Sequence, residues 1–293
     1  MYSLLLQLKF NVMIVIADSG STKTQWVVLE GGKVTADLTT VGFNPYYYKT
    51  EELTKTLFDE LSGHINGTAV EKVFFYGSGC SDVKNCKLVS DSLSRFFVHA
   101  EIHTHHDLTG TALALFQNKP GIACILGTGS NSCMWNGTKI TRQVPSLGYL
   151  LADEGSGTYL GKLILQKILY GEADNQLTKK FYQTYNLDFE STLHRIYGKP
   201  DPNKFFASLS KFVNAHLQLD DCRQAVKQSF HDFIEKQISK YPDFNSQEVS
   251  FTGSVAFVYQ DLLLEVLHEH SIRPGIIMKT PMEGLVAYHT QHL

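Results

Sequence analysis

The sequence predicts an α/β protein of two halves related by internal duplication, with a cleft between them. Apolar runs rich in β-branched and aromatic residues alternate with helical patterns, which implies largely parallel sheets covered on both faces. A glycine-bearing strand–turn–strand unit occurs twice, at "IVIADSGSTKTQW" (14–26) and "IACILGTGSNSCMW" (122–135), each with a tryptophan six residues after a glycine: Gly20 to Trp26 and Gly129 to Trp135. No Pro/Ser-rich linker separates the halves, so they join through elements near their cores and a cleft is the expected binding site.

Taken in order, the first unit reads as strand, tight turn, strand. Gly20 is followed by Ser21, Thr22 and Lys23 without the second glycine of a Walker A loop, and "TQWVVLE" continues as strand rather than helix. Each copy then passes through a second turn to a lysine, Lys33 or Lys139. In "TEELTKTLFDELSGHI" the four-residue spacing of Leu53, Leu57 and Leu61 predicts an amphipathic helix. A strand at "VEKVFFYG", a helix through "NCKLVSDSLSRFF", a strand at "AEIHTHH" and a short helix "LTGTALALF" complete a first domain over 13–117. The second hairpin opens a domain over 118–293, where "DEGSGTYLGKLILQKIL" predicts a helix with acids in its first turn. Residues from about 172 to 247 read as a helical insertion. Then come a strand at "EVSFTG", one helix through "SVAFVYQDLLLEVLHEH" and a short strand "GIIM".

With 293 residues, 43% of them hydrophobic and 19% charged, the chain is long enough for about two domains and an ordinary buried core. A net charge of −3 gives no reason to expect nucleic acid or an acidic membrane as partner. The five cysteines lack CxxC spacing, which argues against a disulfide framework or a zinc site and fits a reducing cytoplasm. The leading "MYSLLLQLKFNV" is broken by Gln7, Lys9 and Asn11, and reads as neither signal peptide nor membrane span. The first core strand starts at Met13, so the preceding residues are an upstream start or a local extension.

In order along the chain, "DSGSTKT", "GTGSNS" and "GSVA" resemble the phosphate 1, phosphate 2 and adenosine motifs of the sugar-kinase, heat-shock-chaperone and actin ATPase superfamily. "GTGSNS" followed by "LGYLLADEGSGTYLGK" resembles the N-acetylglucosamine kinase branch and its BadF/BadG/BcrA/BcrD-type ATPase relatives. The resemblance runs from Met13 to the end of the chain. It implies two ribonuclease H-like domains of the actin/hexokinase type, ATP and Mg²⁺ as cofactors, a small sugar as substrate, and a homodimer.

The chemistry of the residues agrees. Gly20, Ser21, Thr22 and Lys23 from one hairpin and Gly127, Thr128, Gly129 and Ser130 from the other can hold phosphates with backbone donors and hydroxyls. Gly253 and Ser254 join a strand to a helix N-terminus, suited to a nucleotide phosphate or to packing against adenosine. Asp18 ends the first strand, where it can hold Mg²⁺ through water or initiate a turn. A sugar hydroxyl needs its proton accepted. Asp107, between "AEIHTHH" and "LTGTALALF", resembles the family's catalytic Asp and could also be a helix N-cap. For the sugar itself the resemblance points to Asn44, Ser78, Asp107, Thr128, Gly129 and Asp153, whose donors and acceptors suit hydroxyls and an acetamido group. Asp153 could alternatively serve as a helix N-terminal acid.

His103, His105 and Asp107 share one strand face, but alternate strand residues seldom converge on one ion, so the histidines are expected to line or support the cleft. Tyr46, Tyr47 and Tyr48 could stack on a sugar or simply pack. Leu147 stands where the relatives carry a tryptophan that helps hold the sugar. The expected activity is ATP-dependent phosphorylation of an amino sugar, foremost the 6-OH of N-acetylglucosamine, with glucosamine or N-acetylmuramic acid as alternative acceptors. Rival readings are an ATPase activator of a dehydratase or reductase, which would need cluster-binding cysteines, and a nucleotide-dependent sensor.

Overall fold

A computed structural model describes residues 12–46 and 49–292. The chain divides into two compact units: the residues up to Gln117 together with those from Pro281 onward, and Asn118–Thr280.

The first unit is built on a five-stranded sheet of β1 (Met13–Ser19), β2 (Lys23–Glu30), β3 (Lys33–Val41), β4 (Lys72–Gly77) and β5 (Glu101–His106), in the order β3-β2-β1-β4-β5. β1, β2 and β3 form an antiparallel meander, and β4 and β5 run parallel to β1. β1 is apolar at successive positions because both its faces are covered. Val15 and Ala17 pack with α1 (Thr50–Leu61) and α2 (Val83–Phe96), through Leu53, Leu57, Leu61, Val89 and Leu93. Ile14 and Ile16 face the other way, towards Ala114 of α3 (Asp107–Phe116). α1 starts on Glu51 and Glu52, where the dipole favours acids, and α2 is capped by Asp82, which accepts from the Asn85 N–H at 2.8 Å. Burying a leucine such as Leu57 completely contributes about 2 kcal/mol.

The second unit carries β6 (Pro120–Leu126), β7 (Ser130–Asn136), β8 (Ile140–Gln143), β9 (Glu248–Thr252) and β10 (Arg273–Met278), in the order β10-β9-β6-β7-β8. With β6–β10 substituted for β1–β5, this is the strand order of the first sheet. After β8 come α4 (Gly148–Leu151) and α5 (Gly157–Leu169), then α6 (Asn175–Tyr185), α7 (Phe189–Tyr197), α8 (Pro202–Ala215) and α9 (Asp220–Lys236), which with two 3-10 turns fill the stretch read as an insertion. α10 (Ser254–Val258) and α11 (Gln260–Glu269) follow β9. Ile122, Cys124 and Leu126 of β6 share a core with Leu160 and Ile164 of α5, Leu209 and Phe212 of α8, and Phe230 and Phe233 of α9.

Four details differ from the sequence expectation. The final helix, α12 (Met282–Gln291), belongs to the first unit rather than to a 118–293 domain. Met282 and Leu285 complete the apolar face of Ile14 and Ile16, and His289 Nε2 lies 2.9 Å from the Tyr76 hydroxyl. The helix expected through 254–270 breaks at Tyr259, whose buried hydroxyl donates to the Ser210 carbonyl at 2.6 Å. α5 begins at Gly157, so Asp153 and Glu154 precede it, and the cap is Ser156, whose Oγ accepts from the Tyr159 N–H at 3.1 Å. Finally, Trp26 pairs with Ala17 while Trp135 pairs with Gly121, and the two hairpins close with Ser19 opposite Thr24 and Leu126 opposite Ser130. The shared glycine-to-tryptophan spacing therefore does not mark equivalent positions, although the strand order repeats.

Candidate functional site

In open α/β sheets, ligands collect at the carboxyl ends of the parallel strands. In the first unit those ends gather the residues singled out by sequence. Asp18 of β1 pairs with Tyr76 of β4, which pairs with His105 of β5, so Asp18, Ser78 and Asp107 leave three neighbouring strands at one sheet edge. Burial and the Asp107 carboxylate push the Asp18 carboxyl up to about 7, against the opposing charge of Lys23. Burial also raises Asp107, against the nearby His106 and the Leu108 N–H, which donates to its Oδ1 at 2.7 Å. The capping reading of Asp107 is shared: His106 Nδ1 also accepts from the Leu108 N–H at 3.2 Å and lies 3.1 Å from Asp107 Oδ1.

The exposed turn Gly20–Lys23 is braced from beneath. The Gly20 N–H donates to the Lys23 carbonyl at 3.0 Å, the Gly42 N–H to the Thr22 carbonyl at 3.2 Å and the Ser78 N–H to the Ser19 carbonyl at 2.8 Å. Gly42 was missed by sequence reasoning. A Cβ there would lie 2.4 Å from the Gly20 carbonyl oxygen, so only glycine lets the third strand's exit support the turn. Asn44 is buried in an Asx turn, its Oδ1 accepting from the Tyr46 N–H at 3.0 Å. The Ser78 Oγ is buried without a hydrogen-bond partner among the described residues. Such a hydroxyl costs about 1–3 kcal/mol until something supplies the missing bond. Tyr46 is exposed, and Tyr47 and Tyr48 lie outside the described residues. His103 and His105 stack on Phe74 and Tyr76 at 4.8 and 5.4 Å, and among the described residues no group of three or more His, Cys, Asp or Glu side chains could hold a metal.

In the second unit the site is made of backbone. The Gly127 N–H donates to the Gly129 carbonyl at 3.0 Å, while the Gly127 and Thr128 carbonyls accept from the first N–H groups of α5, Gly157 at 2.9 Å and Thr158 at 3.2 Å. The Thr158 hydroxyl adds a 2.6 Å bond to the Thr128 carbonyl. The N-terminal donors of α5 are thus consumed in holding the Gly127–Gly129 turn. Gly253, at φ +119°, sits against that turn: its N–H donates to the Met278 carbonyl at 3.0 Å, and a Cβ would fall 2.2 Å from the Leu126 carbonyl oxygen. Ser254 opens the five-residue α10. Asp153, buried and at φ +69°, approaches Ser130, whose N–H lies 3.5 Å from its Oδ1. A Cβ on Gly129 would stand 3.1 Å from the other carboxylate oxygen. Burial raises the Asp153 carboxyl; the Ser130 N–H and Lys162 oppose this, and Glu154 adds to it. Asp153 thus lies beside Gly129 and Ser130, outside the helix in which it was expected.

Asp18 with Asp107 nearby fits Mg²⁺ better than any all-protein cage. Magnesium keeps several waters and needs only one or two carboxylates, and here the charges that oppose the two raised carboxyls are those of Lys23 and His106. At Gly20 the exposed turn has no Cβ to obstruct a phosphate.

A crystal structure of a protein from Porphyromonas gingivalis, provisionally assigned as an N-acetylglucosamine kinase, shares 37% sequence identity and a TM-score of 0.92, over 96% of this chain and 100% of that one. The chain belongs to this N-acetylglucosamine kinase-like family of BadF/BadG-type ATPases. As a member it is a kinase-type enzyme with an ATP-dependent, sugar-kinase-like function. Two further structures share the fold: a provisional N-acetylglucosamine kinase from Chromobacterium violaceum (19% identity, TM-score 0.72, 95% of this chain and 99% of that one) and an ethanolamine utilization protein from Carboxydothermus hydrogenoformans (13%, 0.56, 94% and 89%). No protein-family model and no curated protein sequence matches the chain. Among the described residues, no helix is long and apolar enough to cross a membrane.

Besides Gly42, the sequence reading missed His106 and Lys162 in this family member. The imidazole of His106 could have been suspected from its place one residue before the helix. Lys162 lay in the quoted motif but carried no signal of what its ammonium would reach.

Proposed function

We propose that the protein transfers the γ-phosphoryl group of ATP to the 6-OH of N-acetylglucosamine. ATP would supply the phosphoryl group and Mg²⁺ would neutralise its charge. In this reading Asp107 accepts the proton of the attacking hydroxyl, and Asp18 orients the hydrated Mg²⁺. Gly20, Ser21, Thr22 and Lys23 in the first unit and Gly127, Thr128, Gly129 and Ser130 in the second serve the phosphates. Gly253 and Ser254 serve the adenosine. Asn44, Ser78, Thr128, Gly129 and Asp153 bind the sugar with Asp107. The two sheets would be ribonuclease H-like domains descended from one duplication, a reading supported by their common strand order.

The observation that carries the proposal is the grouping of Asp18, Ser78 and Asp107 at one sheet edge: a half-buried base with a raised carboxyl beside a buried hydroxyl that lacks a partner among the described residues. A base works best when its pKa lies near the operating pH, and burial moves Asp107 in that direction. The choice of sugar draws support from the name of the Porphyromonas gingivalis relative.

The test is ADP release with Mg-ATP across N-acetylglucosamine, glucosamine, N-acetylmannosamine, N-acetylmuramic acid and glucose. Turnover with N-acetylglucosamine at the highest kcat/KM is expected. Preference for a sugar without an N-acetyl group would sink the substrate assignment, and ADP release independent of every sugar would sink the kinase reading.

A further inference from the structure

The segment between β8 and Asp153 is built as a short strap. Gly148, at φ +72°, and Asp153, at φ +69°, mark its two ends, and the Ala152 N–H donates to the Gly148 carbonyl at 2.9 Å. Leu147, Leu150 and Leu151 are all exposed on it, so apolar burial does little to hold it. Two side chains do reach the segment: the Tyr241 hydroxyl accepts from the Val144 N–H at 3.2 Å where it leaves β8, and Lys162 holds its far end. The Lys162 ammonium, projecting from α5, donates to the Tyr149 carbonyl at 2.5 Å and to the Ala152 carbonyl at 3.3 Å. It lies 5.3 Å from the centroid of the Tyr159 ring, and Tyr159 is itself fixed by a 2.8 Å bond to Asp232. Lys162 is half-buried, feels the charges of Asp153 and Glu154, and forms no salt bridge with either. Its charge is satisfied by backbone carbonyls instead.

We propose that Lys162 is a positioning residue of the sugar site: by clamping the Tyr149 and Ala152 carbonyls it fixes the strap whose last step sets the Asp153 backbone, and so aims the carboxylate at Gly129 and Ser130. The consequence for sugar binding rests on the reading of Asp153 given above; the clamp does not. α5 then has two jobs, one turn apart. Its first N–H groups hold the Gly127–Gly129 turn, and Lys162 holds the residues leading into Asp153, so both sides of this half-site are referred to one rigid helix. An ammonium suits the task because its three donors can reach two carbonyls at once.

The experiment compares Lys162→Met, which keeps the apolar stem, with Lys162→Arg, which keeps the donors, and with Asp153→Asn. Amide exchange and chymotryptic cleavage at 149–152 report the clamp without reference to any substrate. Lys162→Met should speed both, while the amides of Gly157 and Thr158 keep their wild-type rates and Lys162→Arg restores the strap. Unchanged exchange and cleavage in Lys162→Met would remove the clamp. In turnover with N-acetylglucosamine, Lys162→Met should raise the sugar KM about 10- to 100-fold, leave the ATP KM within about twofold, and be rescued in large part by arginine. A loosened strap with an unaltered sugar KM, in a protein whose sugar KM does respond to Asp153→Asn, would overturn the positioning role. Equal rises in both KM values would do the same by marking a general structural loss. If wild-type protein turns over no sugar, or Asp153→Asn leaves the sugar KM unchanged, the functional reading itself has failed, and exchange at 149–152 still decides the clamp.

Discussion

The two units share a strand order and differ in what they place at the ends of their central strands. The first offers ionisable side chains: Asp18, Asp107 and Lys23, with the Ser78 hydroxyl, which has no partner among the described residues. The second offers backbone, a turn at Gly127–Gly129 pinned by α5 and backed by Gly253, with Asp153 as its one buried carboxylate. One topology has thus been used for two tasks. Charges that move a proton or meet a cation must keep uncompensated interactions, and these cost stability. A turn made of backbone can be fully bonded and rigid. The first unit should accordingly respond to charge-neutral isosteres in activity, the second to added atoms in stability.

Asp107→Asn should break the comparison most visibly. It removes the proposed proton acceptor while keeping the size and the bond from the Leu108 N–H, so kcat should fall about 10²- to 10⁴-fold, with ATP affinity unchanged within about threefold by titration calorimetry. Near-normal turnover would move the chemistry elsewhere.

The place of that residue was legible from sequence because the alternation of elements located the strand-to-helix junction, while its role came only from the family resemblance. Leu53, Leu57 and Leu61 announced α1 in the same direct way. The return of α12 to the first unit was not legible, because it depends on Met282 and Leu285 matching Ile14 and Ile16 from the far end of the chain, and no local pattern encodes a partner. The break at Tyr259 was not legible either, and the Tyr259 hydroxyl is bonded to the carbonyl of Ser210, far off in sequence. The glycine-to-tryptophan repeat was legible but misleading: spacing along the chain coincided while cross-strand register did not. For the site, the residue types were readable and the contacts were not, since the fit of Gly42 under Gly20 and the reach of Lys162 are tertiary facts.

Asp18→Asn should separate function from stability. Activity should drop about 100-fold and lose its Mg²⁺ response, if the carboxylate is the cation's anchor. Folding should gain. A carboxyl held at about 7 when folded and 3.8 when unfolded is ionised at cost above both values, so the wild type loses stability as pH rises from about 4 to 7. Relief of that cost in Asp18→Asn is expected to be about 1–3 kcal/mol at pH 8 without Mg²⁺, and close to nothing near pH 4. Chemical denaturation at the two pH values checks it; a variant less stable than wild type at pH 8 would show that Asp18 is a structural cap.

Glycine substitutions probe the second task. Gly253→Ala would place a methyl 2.2 Å from the Leu126 carbonyl oxygen at φ +119°, and should cost about 2–6 kcal/mol from strain and overpacking together. Gly20→Ala meets nothing closer than 3.8 Å and should change the melting temperature little while weakening ATP binding. Equal stability losses in the two variants would mean that the exposed turn is as tightly built as the buried one.

The smallest effect concerns how each unit meets acid. His289 is buried against Phe74 and Tyr76, and burial, with His292, His105 and His103 nearby, lowers its pKa to about 4. At neutral pH its Nε2 and the Tyr76 hydroxyl share a 2.9 Å hydrogen bond. Once protonated, that nitrogen can only donate, so the Tyr76 hydroxyl must turn to accept, and the imidazolium charge is left buried against Phe74 and Tyr76. The unfolded chain takes up this proton below 6.5 and the folded chain only near 4. Stability of the first unit therefore falls as pH drops through that window, by at most about 3 kcal/mol. Asp18 works in the opposite sense over part of the same range, so the informative quantity is the difference between His289→Gln and its parent. Glutamine can still bond Tyr76 and takes no proton, and the variant should gain on the parent steadily from pH 6.5 to 4. The two tryptophans, Trp26 in the first unit and Trp135 in the second, allow the change to be assigned. With Trp135→Phe as background, the fluorescence of Trp26 should report a lower acid midpoint in His289→Gln than in its parent. With Trp26→Phe, the signal from Trp135 should move less, because the Gly127 and Thr128 carbonyls and the α5 amides that hold its unit do not titrate. Identical shifts at both tryptophans would show the units unfolding as one, and the division of labour between them would then be chemical but not energetic.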